Sequence, residues 1–158
     1  MGKVVRYEES FITSIPSDKF FRAYVLDGDN LLLKSLPHEI STIEIIRGDG
    51  GPGSIKLLTA TPGSKFFKTM KKRVEEVDGE KRVYRFSVIE GGDLEDGIEK
   101  ITNRLKMEGG SVVRAATEYH IKEGGDVGDQ GKKTVERMKG ILKAVEKHLH
   151  ANPHLLYL

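Results

Sequence analysis

The chain has no cysteine among its 158 residues. A disulfide framework and thiol chemistry are therefore excluded, and the composition suits a reducing compartment. The N-terminal residues also lack the continuous apolar core of a secretory signal, and no apolar run approaches the length needed to span a membrane. We therefore expect a soluble, cytoplasmic protein without a membrane partner.

The chain also has no large excess of positive or negative charge. The 26 Lys and Arg residues nearly balance the 24 Asp and Glu residues and leave a net charge of +2. Because basic residues alternate with acidic ones, the surface is not expected to carry the positive stripe that a nucleic-acid partner requires. The length predicts one domain, residues 1–158, with a single hydrophobic core, and we expect a monomer.

Glycine, by contrast, is concentrated in residues 48–56, between two strand-like runs. The glycines of this loop are Gly48, Gly50, Gly51 and Gly53. They indicate a sharp turn, because glycine adopts a positive φ without steric cost, and we expect Gly51 to be one such position. The loop N–H groups could bind a phosphate, but a nucleotide-binding loop requires Lys and then Ser or Thr after its last glycine. Since Ser54 and Ile55 stand there, we interpret the loop as structural.

Alternation of apolar and polar residues predicts seven strands, which tight turns join into an antiparallel sheet with one hidden face. The strands are expected at residues 4–13, 40–47, 54–61, 66–77, 81–90, 98–107 and 111–122. The Asp78-Gly79 pair between the fourth and fifth strands is a strong hairpin signal.

Helical spacing occurs in three other stretches. Residues 16–26 predict a short helix with an aromatic face. Asp29 or Asn30 can cap a second short helix. Apolar residues at three- and four-residue intervals predict one long amphipathic helix over residues 130–151. The apolar tail that follows, residues 154–158, is expected to fray or to lie on the surface.

A cavity is expected between the long helix and the sheet. One helix is about 10 Å across with its side chains and cannot fill the concave side of a strongly curved sheet. The inward rows of the strands are mostly apolar, with the polar side chains of Tyr84, Asn103, Thr117 and Tyr119 among them. This mixture is typical of preformed ligand pockets. Alternatively, these polar groups bond to one another in an ordinary core.

Four blocks of sequence occur in a defined order along the chain. They are LDGDNL at residues 26–31, GDGGPGSIK at 48–56, SVIEGG at 87–92 and EKITN at 99–103. With these blocks the chain resembles the major birch pollen allergen family, the class-ten pathogenesis-related proteins of plants, from about Val4 to the C-terminal helix. The resemblance implies the α+β helix-grip fold, in which a seven-stranded curved antiparallel sheet wraps around a long C-terminal helix, with two short helices and an internal cavity.

The resemblance also implies a plant defence-related protein that binds small hydrophobic or amphipathic ligands as a carrier, store or receptor. Flavonoids, cytokinins and other hormones, and sterol-like molecules are the ligand classes that it suggests. The implied pocket-lining residues are Tyr24, Asp29, Leu32, Phe67, Tyr84, Phe86, Asn103, Leu105, Tyr119, Met138 and Ile141. Leu32 stands where the family commonly has an aromatic residue, and Phe86 replaces a tyrosine, so the pocket should contain fewer hydroxyl groups.

Ribonuclease activity is credited to some members of the family and remains an alternative. The resemblance assigns it to the glycine loop with a lysine, two acids and a tyrosine. Lys56, Glu99 and Glu146 match these positions, and His148 takes the place of the tyrosine. Glu146 and His148 lie two residues apart and project in different directions on a helix, and solvated charges on an outer face explain both.

An alkaloid synthase is the second enzymatic alternative, because residues 117–120 resemble the corresponding segment of those enzymes. Such chemistry needs an acid and a base inside the pocket. Few ionisable groups are expected to face inward, namely Asp29, Lys71 and Arg73, and Lys71 could also face out. The five histidines are not spaced as a metal site. We therefore expect a binding protein rather than an enzyme, with no cofactor.

Overall fold

The computed structural model describes residues 2–64, 67–92, 94, 97–128 and 130–157. Within them, seven strands form one antiparallel sheet in the order β1-β7-β6-β5-β4-β3-β2. The strands are β1 (Lys3–Ile12), β2 (Ile40–Arg47), β3 (Ile55–Ala60), β4 (Thr69–Asp78), β5 (Val83–Gly91), β6 (Ile98–Glu108) and β7 (Val112–Ile121). Strands β2 to β6 each pair with the next strand along the chain, so tight turns are sufficient to connect them, and β7 also pairs with β1.

The helices pack on this sheet and at its end. The helical segments are α1 (Ser17–Phe21), a π-helical turn (Arg22–Leu26), α2 (Gly28–Ser35), α3 (Gln130–Ala151) and a 3-10 helix (Pro153–Tyr157). Helix α3 has the predicted bounds, and the α+β prediction of a curved sheet, one long helix and two short helices is confirmed. Over the described ranges, no helix combines the length and the apolar character needed to cross a bilayer.

The core forms where α3 turns its apolar side toward the sheet. Leu142, Val145 and Leu149 of α3 are at most 1% exposed, and Met138 is buried on the same side. The inner row of β6 is equally inaccessible, with Leu105 at 0%. Removal of this apolar surface from water is the main favourable term in folding, so the contact between α3 and the sheet holds the two layers together.

Strand β4 differs from the prediction in its start and in its register. It begins after the predicted start, and Phe66 lies outside the described residues. Lys71 and Arg73, which were expected to face inward, are partly exposed on the outer face. Lys72 and Val74 are instead buried on the inner face. The two irregularities in the pairing of β4 with β5 fall at Ile89 of β5 and at Glu75 of β4, so residues 70–74 alternate regularly. The alternation expected from Phe67 fails because Phe67 lies before the first residue of the strand, Thr69.

Helix α2 begins one residue before its predicted caps. Asp27 takes the N-cap position but makes no side-chain cap bond to the backbone. Its Oδ1 atom instead accepts a hydrogen bond of 3.1 Å from Nδ2 of Asn30. The prediction that Asp29 or Asn30 caps this helix is therefore wrong, and the Asp29 carboxylate is left to bind a side chain of the sheet.

The C-terminal tail lies against the core. Asn152 ends α3, because its Nδ2 donates to the carbonyl oxygen of His148 over 2.9 Å. The following 3-10 helix, Pro153–Tyr157, places Leu155 and Leu156 partly buried against the hydrophobic core. The tail is therefore ordered over these residues rather than frayed.

The glycine loop between β2 and β3 needs glycine at some positions and not at others. Gly48, Gly50 and Gly53 have φ values of +89°, +102° and +89°, a region that favours glycine. Gly51 does not have a positive φ, so the expectation for that residue is wrong. At Gly48 there is also no room, since a Cβ atom would lie 2.9 Å from Cα of Ser54.

Alanine at three of these glycines should destabilise the protein to graded extents. Gly48→Ala combines a positive φ, worth roughly 1–3 kcal/mol, with the collision against Ser54 and should cost the most. Gly53→Ala has the strained φ but open space around it, and should cost roughly 1–2 kcal/mol. Gly51→Ala should stay within about 0.5 kcal/mol of wild type. Urea denaturation measures the three values, and equal losses would contradict this account.

Candidate ligand-binding site

A cavity of about 90 Å³ lies between α3, α2 and the inner face of the sheet. Most of its lining is apolar, with a few polar and basic side chains. The lining residues are Tyr24, Leu32, Ile40, Leu58, Phe67, Met70, Lys72, Phe86, Val88, Gly92, Asn103, Thr134, Arg137, Met138 and Ile141. Ligand pockets usually enclose about 300–1,000 Å³, so the space that the described residues leave at this place is smaller than a typical ligand pocket.

Seven of the predicted pocket residues border this cavity. They are Tyr24, Leu32, Phe67, Phe86, Asn103, Met138 and Ile141. Leu105 and Tyr119 are not among the lining residues and are fully buried in the core. The ring of Tyr119 makes an edge-to-face contact with Tyr7, with centroids 5.7 Å apart. These two side chains form part of the packed layer below the cavity.

Tyr24 brings a phenol to the cavity from the π-helical turn. It is 6% exposed, and its ring stacks on that of Phe20 with centroids 6.1 Å apart. Burial raises the pKa of Tyr24 well above its ordinary value of 10.0, and the neighbouring Tyr84 raises it further. The phenol therefore stays protonated at every physiological pH and is available as a hydrogen-bond donor.

This raised pKa predicts a loss of stability in alkali. The folded state holds the Tyr24 proton more tightly than the unfolded state. The contribution of the protonated phenol to the free energy of unfolding is therefore complete below pH 10.0 and falls as pH rises above it. The loss reaches about 1.4 kcal/mol for each further pH unit. In Tyr24→Phe the free energy of unfolding should decline less steeply above about pH 10. Urea titrations at a series of alkaline pH values measure both slopes, and parallel curves would contradict the assignment.

Asn103 of β6 and Thr117 of β7 form a buried polar pair. The hydroxyl of Thr117 donates to Oδ1 of Asn103 over 2.9 Å, and the two residues are register partners in the sheet. Asn103 is 4% exposed and Thr117 is 2% exposed. The amide oxygen is thus already used within the protein, while the residue still borders the cavity.

Lys72 is one of eight lining residues that the sequence pattern missed, and Arg137 is the other basic one. It lies on the inner face of β4 and is only 5% exposed. Its Nζ atom stands 4.8 Å from the ring centroid of Phe86 and 5.7 Å from that of Tyr84. Strict alternation through the predicted strand placed Lys71 inside instead. The strand begins only at Thr69, so alternation counted from Phe67 does not continue into it.

Asp29 and Tyr84 lie at a separate groove of about 540 Å³ beside the glycine loop. Asp29 of α2 forms an ion pair with Lys56 of β3, at 2.9 and 3.0 Å from Nζ to its two carboxylate oxygens. The side chains are 31% and 12% exposed. The pair joins the first strand after the glycine loop to α2 and forms part of the groove wall.

The N–H groups of the glycine loop are engaged inside the protein. Gly50 donates to Oγ of Ser54 over 2.8 Å, and Gly51 donates to Oδ1 of Asp49 over 2.9 Å. Gly53 donates to the carbonyl oxygen of Val74 over 2.7 Å. A phosphate could use these donors only by displacing existing hydrogen bonds, which favours the structural interpretation of the loop.

Removing the Lys56–Asp29 pair should reveal a measurable coupling. Lys56→Met, Asp29→Asn and the double variant form a cycle, for which we expect a coupling free energy of about 1 kcal/mol. The control is the cycle through Lys71 and Glu90, which also pair at 3.0 Å but are 36% and 69% exposed. That coupling should stay below about 0.5 kcal/mol. Urea denaturation measures both cycles, and equal values would refute the effect of burial.

The residues implied in a ribonuclease site have different surroundings. Lys56 is bound to Asp29, and Glu99 is exposed at the start of β6. Glu146 and His148 were expected on a solvated outer face, but both are partly buried. Oε2 of Glu146 and Nε2 of His148 are buried without a hydrogen-bond partner among the described residues.

The segment that resembles alkaloid synthases divides between the two faces of β7. Thr117 and Tyr119 are buried on the inner face. Glu118 lies on the outer face, 3.9 Å from the guanidinium of the exposed Arg6. His120 is partly exposed on that face and contacts Thr102 at 3.4 Å. The acid and the imidazole of this segment therefore do not reach the cavity.

Comparison with known proteins gives a family and a fold. Residues 4–152 match the model of the pathogenesis-related protein Bet v 1 family. The chain is 42% identical over 154 residues to the major pollen allergen Bet v 1-M/N of Betula pendula, covering 94% of this chain and 96% of that protein. The crystal structure of Ara h 8.0201 aligns with a TM-score of 0.82 and 29% identity over 95% of this chain and 100% of that one. Truncated norcoclaurine synthase of Thalictrum flavum aligns with a TM-score of 0.73 and 27% identity over 94% of each chain.

Proposed function

Because the chain belongs to the pathogenesis-related protein Bet v 1 family, we propose that it binds small, mainly apolar molecules between α3 and the sheet. The observation that carries the proposal is the cavity, whose mostly apolar lining contains a few polar groups, as ligand sites do. In this role the protein serves plant defence as a cytoplasmic carrier, store or receptor for its ligand and works as a monomer.

Binding requires the cavity to widen. Its volume of about 90 Å³ corresponds to about three molecules of liquid water and is too small for a flavonoid or a cytokinin. The lining includes Met70 and Met138, whose unbranched side chains adapt readily to a new shape. Phe67 and Ile141 are partly exposed at the edge of the cavity. We therefore include in the proposal that these side chains move aside when a ligand enters.

The ligand class follows from the lining. Apolar walls with a buried phenol at Tyr24 and an amide at Asn103 suit a flat molecule with one or two polar substituents. Flavonoids, cytokinins and sterol-like molecules fit this description. Phe86 offers no hydroxyl, so most of the affinity should come from apolar contact.

Catalysis is the weaker candidate. The norcoclaurine synthase structure shares the fold at 27% identity, whereas the pollen allergen at 42% identity is not named as an enzyme. In this chain Glu118 and His120 face away from the cavity, so an acid–base pair at that segment would not meet a bound molecule. The proposal therefore assigns binding, and not turnover, to the cavity.

The neutral dye phenylnaphthylamine tests the proposal. We expect binding with a free energy of about −7 to −8 kcal/mol, measured by fluorescence titration, and competitive displacement by a flavonoid or a cytokinin. Ile141→Trp places a bulky ring at a partly exposed wall of the cavity and should weaken binding about tenfold. Val4→Trp adds the same ring at a strand residue that is 54% exposed and should not change binding.

Two results would contradict the proposal. One is dye binding that is unchanged in Ile141→Trp while near-ultraviolet circular dichroism shows an intact fold. The other is RNA cleavage by rigorously purified protein that is lost in Glu146→Gln, together with flat ligand titrations. The second result would favour the nuclease alternative.

A further inference from the structure

Lys72 is a buried cation without a counterion. Among the described residues no carboxylate lies within ion-pair distance of its Nζ atom, which contacts only the faces of Phe86 and Tyr84. A lysine that is 5% exposed has lost most of its hydration. Burial of an ammonium group is unfavourable unless it is paired, and two cation–π contacts replace only part of the lost hydration.

The neighbouring lysine on the inner face shows the contrast. Lys56 of β3 is the direct register partner of Lys72 of β4, so their side chains lie on the same face of adjacent strands. Lys56 is neutralised by Asp29 of α2. Lys72 is 5% exposed and borders the cavity, and none of the described carboxylates pairs with it. One of two adjacent ammonium groups is thus paired within the protein, and the other is left at the cavity wall.

The charged side chains among the described residues that line the cavity are basic. Among the described lining residues there are two basic side chains, Lys72 and Arg137, and no acidic one. The other polar lining groups are the phenol of Tyr24, the amide of Asn103 and the hydroxyl of Thr134. The described walls can therefore surround an apolar body on most sides, and the buried ammonium group of Lys72 is available there to a negative group.

We propose that the cavity prefers ligands with a single negative charge on an apolar body, such as an aromatic or aliphatic carboxylate, and that Lys72 binds the anionic group. This inference rests on the proposed function and narrows it from flat amphipathic molecules to monoanionic ones. The anion supplies the charge-assisted hydrogen bonds that the protein itself does not give Lys72. Neutral analogues of the same shape leave the ammonium group unpaired and bind more weakly.

A pair of dyes that differ only in charge tests the preference. Anilinonaphthalene sulfonate carries the ring system of phenylnaphthylamine with one added sulfonate. Wild-type protein should bind the sulfonate at least about tenfold more tightly. In Lys72→Met, which keeps an unbranched side chain one heavy atom shorter and removes the charge, this preference should disappear while the affinity for the neutral dye is kept or increased.

Two variants control for charge and for fold. Lys72→Arg retains a cation and should retain the preference for the sulfonate. Lys71→Met removes a neighbouring positive charge that pairs with Glu90 on the outer face and should leave both affinities unchanged. The midpoint of thermal unfolding of Lys72→Met should not fall, because an unpaired buried charge has been removed. A crystal structure of the wild type with the sulfonate should place the sulfonate within hydrogen-bond distance of Nζ of Lys72, independently of any variant.

The outcomes separate the two proposals. If the neutral dye binds but the sulfonate gains nothing, or if Lys72→Met weakens both dyes equally, the charge preference is overturned and the binding function stands. A sulfonate that the crystal structure places away from Lys72 overturns it as well. If neither dye binds in the cavity, both proposals are overturned.

Discussion

The packing of α3 against the concave face of the sheet is the contact on which the rest of the structure depends. Its C-terminal half is tight, with Leu142, Val145 and Leu149 at most 1% exposed. Its N-terminal half is looser, and the cavity lies there, next to Met138 and Ile141. Protein interiors are close-packed where side chains fit, and the described side chains at the N-terminal half of α3 leave space unfilled. The position of the cavity therefore follows from how the helix is seated.

Charges on the inner face of the sheet set a second constraint. Lys56 and Lys72 stand opposite each other on β3 and β4, where two unpaired ammonium groups would repel. The Asp29 carboxylate of α2 neutralises the charge of Lys56. The same ion pair joins α2 to β3, the strand that follows the glycine loop. Phe86 and Tyr84 provide partial compensation for the other charge. The ion pair that holds α2 and the charge at the cavity wall are thus carried by two neighbouring lysines, Lys56 and Lys72.

The glycine loop shows how a conspicuous sequence feature can serve the fold. Gly48 leaves room for Ser54, whose Oγ then accepts the N–H of Gly50. Gly53 donates to the carbonyl oxygen of Val74 on β4. The loop between β2 and β3 is therefore also bound to β4. The glycines of this loop therefore allow its backbone to pack closely against neighbouring groups. The N–H groups of Gly50, Gly51 and Gly53 form hydrogen bonds there.

The sequence by itself determined the seven strands, the bounds of α3 and the family. These features depend on local periodicity, which records the burial of one face of each element, and on short ordered blocks. Only the tertiary structure decided that Lys72 rather than Lys71 faces inward, that Asp29 binds Lys56 instead of capping α2, and how small the cavity is. The residue at which a strand begins is set by pairing with a neighbouring strand, and ion pairs join residues distant in the chain. A cavity volume is the small remainder after side chains from many elements have packed. None of these three features can be read from a short stretch of sequence, because each depends on where other parts of the chain lie.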